Sequence, residues 1–222
     1  VSFSDELEKS FNENSNTKNA VTMSKYMRTI FPFFGIKTAE RRQILKKLWK
    51  ANQQEVSLKA REIALELFQK QQREFHYCAV EILIQELNRK YIKEDIQLIE
   101  KLIITNSWWD SVDFLAKYLL GNYLLQFPEE TDSAILKFSN SENMWLNRSS
   151  ILFQLGYKEK TNFVVLKLVC EKHKTSTEFF IQKAIGWSLR EYAKTNPEAV
   201  RNYVSNSNLK KLSEKEALKN MK

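Results

Sequence analysis

Residues 109–117 read WDSVDFLAK, and three other stretches repeat the pattern: FHYCAVEIL at 75–83, WLNRSSILF at 145–153 and FIQKAIGWS at 180–188. Each opens on an aromatic residue and continues with apolar side chains at helical period. The opening residues, 75, 109, 145 and 180, stand 34, 36 and 35 positions apart. That spacing is close to the length of a two-helix repeat, a unit that buries its apolar face only by stacking on its neighbours. The spacing therefore predicts an all-α chain of antiparallel helix pairs.

Composition agrees. Glycine (4) and proline (3) are scarce among 222 residues, so long helices with few turn signals are expected. The expected architecture is a HEAT-like helical-repeat solenoid, an α-α superhelix with one concave face. No composition shift marks a boundary, so 1–222 is expected to form a single domain. Helices are expected at 3–14, 18–30, 38–52, 55–70, 73–88, 92–104, 108–120, 128–138, 142–156, 161–173, 176–194, 197–204 and 212–220. Ser107 with Asp110, Thr175 with Glu178 and Ser213 with Glu216 read as capping boxes, and Pro128 and Pro197 fit first-turn positions.

The chain carries 35 basic and 27 acidic residues, a net charge of +8, with a pI near 9.3. Such a balance suits an anionic partner, with nucleic acid first. The segment IKTAERRQILKKLWK at 36–50 holds six basic residues and one acidic one, and fits either a phosphate-facing surface or a solvated helix face. No apolar run is long enough to span a bilayer and no signal-peptide pattern opens the chain, so a soluble, cytoplasmic protein is expected. Cys78 and Cys170 sit inside apolar helical patterns and are expected to be free. His76, Cys78, Cys170 and His173 supply two pairs of metal-ligand types, but residues 76 and 78 point to nearly opposite sides of a helix, so no metal site is expected. Without a glycine-rich phosphate loop or a metalloprotease, nucleophile-elbow or paired-cysteine motif, no cofactor is expected either.

One repeat breaks the pattern. Four residues after the opening aromatic, the other copies have Ala79, Ser149 and Ala184, small residues suited to tight helix packing, whereas the second copy has Asp113. An ionised carboxylate buried alone there would cost several kcal/mol, so it must face solvent, a cation or a ligand. Trp109 lies one turn earlier on the same helix face, and Lys117 one turn later offers Asp113 an ordinary surface pair. Trp187 aligns with Ile82 and Leu152, which makes it a core residue unless a cleft opens there. Arg148 and Lys183 occupy matching positions, and with Arg190 they form either a track for a phosphate backbone or a set of solvated charges.

YMRTIFPFFGI at 26–36, ERR at 40–42, SWWDSVDFLA at 107–116, WLNRSSILFQL at 145–155 and EFFIQKAIGWSLREYAKTNP at 178–197 together resemble the bacterial AlkD family of DNA alkylation repair glycosylases, over nearly the whole chain. The resemblance implies excision of N3- and N7-alkylated purines from duplex DNA, with Trp109, Trp187 and Asp113 as the catalytic set. DNA contacts are expected from Arg148, Arg190, Lys183, Tyr26, Lys37 and Phe179; a concave monomer is the simplest expectation, and no membrane partner is expected. Lys37 and Gly156 depart from the family pattern, where a polar amide and a basic residue are usual. Other readings of the residues are a non-catalytic HEAT-repeat module for DNA structures or proteins, and a helical scaffold for acidic proteins.

Overall fold

The computed structural model describes residues 1–219 and 221, and every regular element among them is helical. They pack as two compact units, Val1–Lys90 and the residues from Tyr91 onward. Among the described residues no helix is long and apolar enough to cross a membrane.

The first unit holds α1 (Phe3–Glu13), α2 (Thr17–Tyr26), α3 (Thr38–Ala51), α4 (Gln53–Gln69, kinked at Lys59) and α5 (Arg73–Glu86). Ser2 and Asp5 form a capping box at the start of α1, and Asn16 caps α2. The second helix stops at Tyr26 rather than running to 30, because Arg28 and Thr29 take left-handed backbone conformations (φ 54° and 58°). The chain then folds inward and buries Met27, Phe31, Phe34 and Ile36 without helix. Phe34 packs against Phe11 and Phe75 at ring distances of 5.6 and 5.4 Å. Gly35 makes this course possible: at φ +87° it brings its Cα so near α2 that a Cβ would lie 2.0 Å from the Asn16 carbonyl oxygen. The buried Glu74 carboxylate ties the segment down by accepting the backbone N–H groups of Phe34, Gly35 and Ile36 at 3.1, 2.9 and 3.3 Å.

The second unit holds α6 (Asp95–Ile104), α7 (Trp109–Phe114), a π-helical segment (Leu115–Leu120), α8 (Gly121–Gln126), α9 (Thr131–Ser139), α10 (Met144–Leu152), α11 (Phe163–His173), α12 (Phe179–Ala193), α13 (Pro197–Ser207) and α14 (Lys211–Ala217). Asn143, Asn162 and Asn196 cap α10, α11 and α13 through their side chains, and Pro197 takes the first turn of α13. Pro128 opens a short 3-10 turn ahead of α9. The expected helix 212–220 is seen as α14; its expected end, Asn220, lies outside the described residues.

The three expected capping boxes do not form. Ser107 donates to the Ile103 carbonyl, and α7 starts after Trp108, which offers no side-chain cap. Ser213 lies inside α14 and donates to the Gln182 carbonyl of α12 at 3.0 Å, while α12 starts only after Glu178. Hydroxyls that match a local pattern instead serve a preceding turn or a neighbouring helix.

The fold class is all-α helical repeat, and burial follows the repeat frame. Ala79, Ser149 and Ala184 are fully buried, as are Ile82 and Leu152 three residues further on. The two departures from the frame, Asp113 and Trp187, are both part-exposed.

Candidate active site

Asp113 projects from the last turn of α7, and Arg148 of α10 meets it with a two-pronged ion pair. Arg148 Nε donates to Asp113 Oδ1 at 2.7 Å and Nη2 donates to Oδ2 at 2.9 Å. The third nitrogen, Nη1, donates to the Phe180 carbonyl in the first turn of α12. One buried guanidinium therefore joins three repeat helices and fixes the plane of the carboxylate. The Asp113 side chain keeps 13% of its surface exposed against 5% for Arg148. Burial pushes the Asp113 carboxyl above its ordinary range, the hydrogen bonds and charge of Arg148 pull it back, and Asp110 adds a small upward push. The partner of Asp113 is thus Arg148, one repeat away, and not Lys117 on its own helix.

An aromatic wall backs this pair. The rings of Trp108 and Trp145 stand 5.6 Å apart, and Phe180 lies 5.2 Å from each. These residues bring the openings of α7, α10 and α12 together, and the Arg148 guanidinium sits 5.8 Å from the Phe180 ring. Sequence reading missed Trp108, which holds the helix start that no polar cap supplies. Its signal was available, since it precedes one repeat-opening aromatic and so lies beside the others. At the far end of this helix, a Cβ on Gly121 would come within 2.5 Å of the Phe153 carbonyl oxygen, and Tyr157 donates to the Gly121 carbonyl. That contact anchors the π-helical stretch directly behind Asp113.

Trp109 and Trp187 are both half-buried, on α7 and α12. Among the described residues the Trp187 indole N–H has no protein hydrogen-bond partner. Phe179 is 54% exposed beside Phe180. Lys183 and Arg190, the other expected phosphate contacts on α12, both reach Glu216 of α14 at 2.8 Å. Lys183 and Arg190 hold the Glu216 carboxyl below its ordinary range. Arg148, expected to touch DNA, is 4% exposed with all three nitrogens engaged inside the protein, so its effect on a ligand runs through Asp113. Tyr26, 72% exposed, and Lys37, exposed ahead of α3, belong to the first unit.

The histidines and cysteines serve packing. Arg73 can only donate to His76 Nδ1 (2.9 Å), so His76 Nε2 carries the proton and donates to the Lys70 carbonyl (2.9 Å). Cys78 and Cys170 are buried and free, and burial pushes both thiols up to about 12.

Residues 7–221 match the model of the DNA alkylation repair enzymes. The chain belongs to that family. It is also similar to a solved structure described as a predicted DNA alkylation repair enzyme from Enterococcus faecalis. The two are 34% identical with a TM-score of 0.85, over 93% of this chain and 96% of that one. No curated protein matches. Membership in the DNA alkylation repair enzyme family implies an enzyme that acts in repair of alkylated DNA, with DNA as its partner.

Proposed function

We propose that this protein is an AlkD-type glycosylase that hydrolyses the N-glycosidic bond of cationic N3- and N7-alkylated purines in duplex DNA. The observation that carries this reading is the Asp113 carboxylate. It is fixed at both oxygens by Arg148 and part-exposed, at a repeat position that is otherwise small and fully buried.

An alkylated purine of this kind carries a positive charge, so its C1′–N bond breaks with the electron pair leaving on the base, which becomes neutral. Little general acid is needed. Positive charge moves to the deoxyribose, and a nearby carboxylate of fixed orientation stabilises it without reorganising. Asp113 fills that role, and it orients the water that adds to C1′ and loses its proton. Arg148 is a positioning residue: its charge keeps a half-buried aspartate ionised, and its fork leaves the outer edge of the carboxylate toward the substrate. The half-exposed faces of Trp109 and Trp187 attract the cationic nucleoside, worth about 0.5–2 kcal/mol per ring depending on desolvation. Exposed Phe179 offers a further stacking surface. Lys183 and Arg190 share the single carboxylate of Glu216, which leaves a net charge of +1 for a backbone phosphate, and exposed Tyr26 and Lys37 offer DNA contacts on the first unit.

The test is single-turnover release of 7-methylguanine from a duplex oligonucleotide by wild type and Asp113→Asn at matched protein excess. Release by the wild type and its loss in the variant, with duplex binding retained, is expected. Binding without release by either protein would move the chain to the non-catalytic DNA-binding reading. Efficient release of an uncharged base such as hypoxanthine would contradict the cation-based mechanism.

A further inference from the structure

The cations around the Asp113–Arg148 pair are not equivalent. Arg148 is neutralised by Asp113, and Lys183 and Arg190 share Glu216. Lys117, one turn beyond Asp113, has no carboxylate within ion-pair distance among the described residues. It is nonetheless held. Its Nζ lies 4.7 Å from the centre of the Tyr118 ring, and Tyr118 in turn packs against the exposed Phe114 at 5.6 Å. The end of the Lys117 side chain occupies the space beside Gly156: a Cβ there would stand 3.3 Å from Lys117 Cε and 4.0 Å from Nζ. Gly156, at φ +88°, has the conformation that glycine adopts without strain. Lys117 also lies within the π-helical segment 115–120, and π turns inside helices concentrate at functional sites.

A half-buried ammonium with no counter-ion gives up part of its hydration, and an aromatic face returns only a fraction of it. An anion arriving from outside would complete the site. Resting on the glycosylase reading, we infer that Lys117 binds a backbone phosphate of the DNA strand beside the nucleotide that Asp113 faces. The ligand class follows from charge. A lysine four residues beyond Asp113 in the chain repels a cationic base and an oxocarbenium-like sugar, so its partner is the phosphodiester flanking them and not the lesion. Tyr118 and the absent Gly156 side chain set where the ammonium stands.

The experiment is fluorescence anisotropy of an undamaged duplex, titrated with wild type, Lys117→Met and Lys117→Arg over a series of salt concentrations. Each phosphate contact contributes about 0.9 to the slope of log affinity against log salt, so Lys117→Met should be shallower by about that amount and Lys117→Arg should regain it. In single-turnover excision, Lys117→Met should need more protein for half-saturation while keeping the wild-type rate at saturation, the pattern of lost uniform binding. An unchanged slope in Lys117→Met, with duplex still bound, overturns the Lys117 assignment and leaves the glycosylase reading intact. Absence of salt-dependent duplex binding by the wild type overturns both.

Discussion

Glu74 in the first unit and Asp113 in the second are two carboxylates drawn out of water, and they are held in opposite ways. Glu74 is fully buried, and three consecutive backbone N–H groups close around it. Asp113 is gripped by one side chain from the next repeat and keeps an open edge. Backbone donors cannot be changed without moving the chain, so Glu74 works as a clasp that shapes residues 34–36. A guanidinium on a separate helix fixes orientation while leaving lone pairs free, which suits a carboxylate that must meet a transient positive charge.

The sharpest way to break this comparison is to remove the grip on Asp113. Arg148→Met would leave a half-buried carboxylate without its counter-ion and should cost about 3–5 kcal/mol of stability. A denaturant titration followed by circular dichroism measures it. Lys183→Met, which removes a more exposed partner of Glu216, should cost no more than about 1 kcal/mol. Equal small losses for both would mean that Asp113 is not held as a charged group.

Next in size is a double dissociation between the two acids. Asp113→Asn should slow excision by about 10²–10³-fold, the range for loss of one preorganised electrostatic contact, while duplex affinity stays near wild type. Glu74→Gln should do the reverse. Its amide keeps one acceptor but turns a donor toward backbone N–H groups, which should cost about 1–3 kcal/mol of stability with no loss of rate per folded molecule. A Glu74→Gln protein that folds as well as wild type but excises poorly would erase the distinction.

Sequence and structure divide along the range of each interaction. The repeat frame was readable because it is periodic, and Asp113 stood out as a break in that period; Trp187, which the period assigns to the core unless a cleft opens, is part-exposed where Ile82 and Leu152 are buried. Partner choice was not readable. Spacing places Lys117 four residues from Asp113, but the salt bridge goes to Arg148, one repeat further along the chain. Glu216 likewise takes Lys183 and Arg190 from α12, and Ser213 caps nothing because a carbonyl on that same helix receives its hydroxyl. Local patterns also missed the turn after Tyr26, where a buried glutamate forty positions later in sequence organises Phe34 to Ile36.

The smallest expected effect is in pH dependence, and it separates the two acids by sign. Burial raises both carboxyls above their ordinary values, against the backbone hydrogen bonds at Glu74 and against Arg148 at Asp113. A raised acid keeps its proton in the folded state where the unfolded chain has already lost it. Its contribution to stability is therefore complete below the unfolded value and is lost as pH rises through the folded one. For Glu74, stability of the wild type relative to Glu74→Gln should decline as pH rises from the ordinary value of 4.5. Excision runs the other way, because Asp113 must be ionised to act. The acid limb of the single-turnover rate should lie above the ordinary aspartate value of 3.8, and in Arg148→Lys, which keeps the charge but loses the fork, it should move higher. An acid limb at or below 3.8 in the wild type would show Arg148 outweighing burial; a limb unmoved in Arg148→Lys would show that charge alone, without the two-pronged geometry, sets the ionisation of Asp113.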